Sequence, residues 1–163
     1  MNNGTTTQRK SDRELVVTRT INGPARLVFE AWIKPELFQR WWVPKGAPIS
    51  LVSCELDVRV GGGYRLGFVV NGDTTEKRIE FFGRYLEVTP PSRLVWTNDE
   101  EGHGDGAVTT VTFEDQGGRT LLTVHDLYPS KEALDAAIAS GSTEGMPAQL
   151  EQLDEFLGSL VRS

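Results

Sequence analysis

With a single cysteine, Cys54, the chain has no partner for an internal disulfide, so packing alone must hold the fold, and a reducing compartment is compatible with it. Apolar runs are short. None approaches the roughly 20 residues that span a bilayer, which predicts no membrane span. Basic residues are in deficit, 17 against 23 acidic ones, and a formal charge of −6 argues against nucleic acid, whose phosphates are held by a basic patch. Histidine is scarce too: only His103 and His125 can supply an imidazole. The polar start, Met1 to Lys10, lacks the apolar centre of a secretory signal, so the expectation is a cytoplasmic product.

What remains is enough for one core. A length of 163 residues suits one domain, which the reading places at 13–163 behind a flexible N-terminal arm over 1–12. Glu14 to Ile21 is rich in β-branched residues and predicts a first strand. Pro24 is preset for the first turn of a helix that Leu27, Val28, Ala31 and Trp32 continue at helical spacing. Lys34-Pro35 breaks it and starts a second short helix that runs to Trp41-Trp42.

From Ile49 to Leu127 strands and turns alternate. Leu56, Val58 and Val60 alternate with Asp57 and Arg59, the glycines at 61–63 give a turn or bulge, and Asn71-Gly72-Asp73 marks a hairpin. Cys54 shares the apolar parity and reads as a buried structural thiol. The segment 78–88 has apolar residues on both parities, so its inner face stays open. Further strands are expected at 93–97, 108–114 and 120–127, and Ser130 caps a short helix over 131–138.

Thr143 to Val161 reads as one amphipathic helix. Met146, Leu150, Leu153, Leu157 and Leu160 form its stripe, with Thr143 as N-cap. The implied fold class is α+β: a curved antiparallel sheet of about six or seven strands around a long C-terminal helix, with two short helices after the first strand. Large side chains then either fill the space between sheet and helix or line a pocket there.

Val28-Phe29-Glu30-Ala31-Trp32, Pro35 through Arg40-Trp41-Trp42, Asp57 to Tyr64, Gly83 to Val88, Pro91 to Thr97, Val111-Thr112-Phe113 and Thr120 to His125 together resemble the START-like, or SRPBCC, superfamily, in its activator of Hsp-90 ATPase homologue branch. The resemblance runs from about Leu15 to Leu160. It implies a helix-grip fold, related to the Bet v 1 allergens, with an apolar cavity between sheet and long helix; it implies no reaction and no shared catalytic set. Where the family usually has glycine and then tryptophan at the start of the last helix, this chain has Gly145-Met146, which would reshape a pocket mouth.

On that footing the expected lining is Trp42, Phe68, Phe82, Tyr85, Trp96, Phe113, Met146, Gln149, Leu150 and Leu153. The leading function is a binding module, stress- or metabolism-related, for a small apolar or amphipathic molecule such as a lipid. One alternative is a regulator that contacts a chaperone ATPase. The other is a cyclase or hydratase, for which His125 is the candidate acid–base residue, against the plainer reading of a histidine bonded to nearby loop backbone. His103 with Glu100, Glu101 and Asp105 lacks ligand spacing and reads as a solvated loop, and no metal or cofactor is expected. Arg84 and Glu87 read as strand-surface charges, and a homodimer through an exposed strand edge or the N-terminal arm is left open.

Overall fold

The structure is a computed structural model that describes residues 5–43, 45–72, 78–99, 106–140 and 145–162. Its elements in order are β1 (Thr5–Arg9), β2 (Glu14–Ile21), α1 (Ala25–Ile33), α2 (Pro35–Phe38), β3 (Ile49–Leu56), β4 (Gly63–Val70), β5 (Arg78–Thr89), β6 (Arg93–Thr97), β7 (Val108–Asp115), β8 (Thr120–Leu127), α3 (Lys131–Ser140) and α4 (Gly145–Arg162). All strands join one sheet in the order β1-β2-β8-β7-β6-β5-β4-β3, every neighbouring pair antiparallel.

The helix-grip architecture is thus the one expected, with eight strands instead of six or seven. The additional strand is β1. Thr5 to Arg9, read as part of a flexible arm, pairs with β2 from Thr5↔Arg19 to Arg9↔Leu15. Its threonines favour extended backbone, and an edge strand needs no apolar face, so hydrophobic patterning did not mark it.

The concave face follows from strand alternation. Leu15, Val17 and Ile21 of β2, Leu122 and Val124 of β8, Val111 and Phe113 of β7, Leu94 of β6, and Leu66 and Phe68 of β4 are all buried. Over them α4 lays Leu150, Leu153 and Leu157, each fully buried and spaced three and four apart. Each stabilises the fold by about 1.5–3 kcal/mol relative to exposure. The stripe is sealed only in its middle. Met146 is half-buried and Leu160 is 38% exposed.

α4 is clamped to the edge of the sheet by a largely buried ion pair. Arg19 of β2 donates from Nε (3.1 Å) and Nη2 (2.9 Å) to Asp154 Oδ2, and from Nη1 to Thr5 Oγ1 (2.7 Å), while Asp154 Oδ1 accepts the Asn22 amide at 2.9 Å. One pair of side chains thereby joins β1, β2 and α4.

Three boundaries differ from expectation. β3 stops at Leu56, because the Asp57 and Gly62 amides bond back to Gly63 O and Arg59 O in a turn; Val60, read as strand, is 67% exposed. Helical geometry in α2 ends at Phe38, and Trp41-Trp42 lie in the turn that follows. β5 resolves its mixed parity through a register shift between Tyr85 and Glu87: Phe81 and Tyr85 face inward before it, Val88 after it, and Leu86 is 48% exposed. Gly83 has no room for a side chain, since a Cβ there would collide with the Thr97 carbonyl. Ser130 caps α3 as expected, accepting the Ala133 amide at 3.0 Å. The expected cap Thr143 and the His103 loop with Glu100, Glu101 and Asp105 lie outside the described residues.

Candidate functional site

α1 carries Trp32 to its last turn, and the break at Lys34-Pro35 lets the chain fold back, so that Trp41 and Trp42 meet Trp32 edge-on. Ring centres lie 4.8 Å from Trp32 to Trp41, 6.0 Å to Trp42, 5.7 Å to Trp96 and 6.2 Å to Phe113. The cluster continues into the sheet: Tyr64 sits 6.3 Å from Trp96 and 6.0 Å from Tyr85. Edge-to-face geometry suits aromatic quadrupoles and leaves the faces of several rings available.

Exposure divides this surface. Trp32, Phe68, Tyr85 and Phe113 are buried, as are Leu150 and Leu153, and they form its floor. Trp42, Tyr64, Phe81, Trp96 and Met146 pack on that floor yet are only partly covered. Phe82 stands on the opposite face of β5, under the Arg65 guanidinium at 5.0 Å, so it does not join the other expected lining residues. Gln149 is occupied elsewhere, its Nε2 donating to Trp42 O at 2.6 Å. Beside it Gln152 donates to Trp41 O and Val43 O, both at 2.9 Å, and accepts the Lys45 amide at 2.6 Å. These two glutamines pin the segment carrying Trp41 and Trp42 to α4.

Two polar groups interrupt the aromatic surface. Trp41 Nε1 donates to Ala31 O at 3.1 Å, whereas Trp32 Nε1 is buried and meets no acceptor among the described residues. An unmet buried donor costs about 1–3 kcal/mol. Second, cross-strand pairing aligns Tyr85, Trp96, Thr109, Asp126 and Leu15 in one row across five strands. Asp126 Oδ1 accepts the Thr109 hydroxyl at 2.5 Å, Thr109 accepts Asn98 Nδ2 at 3.0 Å, and the Tyr64 hydroxyl lies 3.2 Å from Asn98 Oδ1. Removal from water raises the Asp126 carboxyl above the usual aspartate range, against smaller opposing pulls from Thr109 and His125.

His125 lies on the other side of the sheet, opposite Val16 and Thr110 in register, with Nε2 2.8 Å from Glu14 Oε1. That hydrogen bond, followed by one from Ser11, holds the Glu14 carboxyl below its ordinary value. Neither proposed role of His125 matches this placement: it is outside the concave surface, and its partner is a carboxylate instead of loop backbone. Desolvation likewise raises the Tyr85 phenol and pushes the Cys54 thiol up to about 11, so Cys54 is an unreactive half-buried side chain on the inner face of β3. Arg84 pairs with Asp99 at 3.2 Å and Glu87 with Arg93 at 3.1 Å at the surface. Among the described residues no group of three metal-ligating side chains occurs.

Trp32, Tyr64 and Asp126 were not among the expected lining residues. Asp126 was legible, because continuing the Leu122–Val124 alternation by two places puts it inside and puts its neighbour His125 outside. Trp32 and Tyr64 stood within the segments that carried the family resemblance, without a feature that singled them out. Apart from this surface, a groove of about 300 Å³ lies against α4, lined by Arg40, Val43, Lys45, Gln152, Glu155 and Phe156 among others. Arg40 lies 5.2 Å over the Phe156 ring there.

The family model described as activator of Hsp90 ATPase homolog 1-like protein matches residues 22–158. Among curated proteins none matches the chain. Similar solved structures include a Nitrosomonas europaea protein (24% identity, TM-score 0.80, covering 95% of this chain and 100% of that one) and a Rhodobacter sphaeroides protein (21%, TM-score 0.84, 95% and 99%). An Aeromonas hydrophila protein similar at 18% identity and TM-score 0.64, with 91% and 95% coverage, is itself described as like the same activator.

Proposed function

Since the chain belongs to the activator of Hsp90 ATPase homolog 1-like family, we propose that it is a binding module that holds a small apolar or amphipathic molecule between its sheet and α4. The observation that carries this reading is the partly covered state of Trp42, Tyr64, Phe81, Trp96 and Met146 over a floor of buried side chains that includes Trp32, Phe68, Tyr85 and Phe113. Aromatic groups left accessible on an inward face lose the benefit of burial unless something covers them. Native mass spectrometry after gentle purification, together with titration of 1-anilinonaphthalene-8-sulfonate, tests it. A bound small molecule or one saturable dye site is expected; an empty protein that takes up no dye rejects the reading.

A second reading rests on the family description: control of a chaperone ATPase by protein contact. The Arg40–Phe156 groove is a surface on which a partner could rest. Stimulation of a purified chaperone ATPase would support it, and none at high micromolar protein would end it. The cyclase or hydratase reading has lost its named residue, because His125 faces away from the concave surface.

A further inference from the structure

We propose that Asp126 is the specificity-determining residue of the concave site, accepting a hydrogen bond from a hydroxyl on a flat, cyclic ligand. The inference rests on the binding reading above and names the ligand chemistry it would favour.

Asp126 belongs to the inward row of β8 with Leu122 and Val124, and its cross-strand neighbours on either side, Thr109 and Leu15, are both buried. A carboxylate at such a position is retained at a cost, because charge is disfavoured where water is withdrawn. Its environment satisfies half of it. Thr109 donates to Oδ1 at 2.5 Å, and among the described residues Oδ2 accepts no hydrogen bond. The donors behind Thr109 are ordered toward the same point: with Asn98 Nδ2 donating to Thr109 Oγ1, the threonine hydroxyl proton is directed at Asp126. Asn98 is itself held by Ala107 O at 2.7 Å. The network thus fixes the carboxyl in place and leaves acceptor capacity unused.

The surroundings state the rest of the ligand. Trp96 stands two strands from Asp126 in the same row, beyond Thr109, and packs against Trp32 and Tyr64, so the row that holds the carboxyl continues into an aromatic surface that suits a planar ring. A ring bearing a donor hydroxyl would meet the aromatic wall with its face and Asp126 with its proton. Replacing solvent at Oδ2 by such a donor is a charge-assisted hydrogen bond in a poorly solvated place, where it is stronger than in water.

The test compares 2-naphthol with 2-methoxynaphthalene, which share ring and oxygen but differ in the proton to donate. Displacement of 1-anilinonaphthalene-8-sulfonate measures both. The wild-type protein is expected to prefer 2-naphthol by about tenfold. In Asp126→Asn, Oδ1 can keep the Thr109 bond and the new amide presents N–H groups, so the preference should vanish or reverse. Equal binding of the two compounds by the wild type overturns the inference and leaves the binding module standing. So does an unchanged preference in Asp126→Asn, even if both affinities fall. Uptake of neither compound nor dye rejects the binding reading, and the inference with it. The wild-type ratio requires no variant, so the comparison survives a variant that misfolds.

Discussion

At Asp126 the fold and the proposed site pull in opposite directions. Its carboxyl titrates higher in the folded chain than in the unfolded one. Its stabilising contribution is therefore full below the ordinary aspartate value of about 3.9 and is lost as the pH rises through the folded value. Asp126→Asn should then raise the thermal midpoint at about pH 7, with the gain fading toward acid, as checked by unfolding curves across that interval. A gain that does not depend on pH would remove desolvation as its cause. His125 and Glu14 are bonded on the opposite face, so the two adjacent residues of β8 serve different surfaces. Strand alternation alone assigns them, and with Leu122 and Val124 as guides the sequence contains the answer. That the Trp32 nitrogen meets no acceptor among the described residues was not legible, since a tryptophan in a helical stripe gives no sign of whether its N–H is bonded.

At the level of elements, α4 is held by two different fastenings. The first is the Arg19–Asp154 pair, with side chains only 10% and 11% exposed. Asp154→Ala leaves a buried guanidinium without its partner and should cost about 3–5 kcal/mol in urea unfolding. Arg19→Met with Asp154→Leu should recover most of that loss, because the cost lies in the unpaired charge. The second is Gln152, which serves Trp41 O, Val43 O and the Lys45 amide together. Gln152→Ala should destabilise by about 1–3 kcal/mol and speed amide exchange across 41–45 before the rest of the molecule. Met146→Trp should alter dye affinity while leaving the far-ultraviolet circular dichroism unchanged, because Met146 is partly covered at the start of α4. The helix itself was plain in the sequence, as the spacing of Leu150, Leu153 and Leu157 shows, but its fastenings were not. Arg19 and Asp154 are far apart in the chain, and nothing local links an arginine in a strand to an aspartate in a helix.

For the whole molecule, the order strand, two helices, strands, helix was readable from periodicity and turn residues, and the resemblance supplied the helix grip. What escaped had particular causes. β1 is a polar edge strand without an apolar face, and the parity change in β5 comes from a bulge that depends on pairing with β6. The candidate lining divided for a similar reason: Phe81 and Phe82 are equivalent in composition, and only register tells that one faces the helices and the other Arg65. In the proposed function the ligand sits on the concave face. Titration of isotope-labelled protein with 2-naphthol, followed by two-dimensional NMR, examines that face directly. The indole signals of Trp32 and Trp96 and the amides around Asp126 should shift together and saturate, while those of β1 stay in place. Shifts confined to the groove beside Arg40 and Phe156, or no shifts at millimolar ligand, would contradict it.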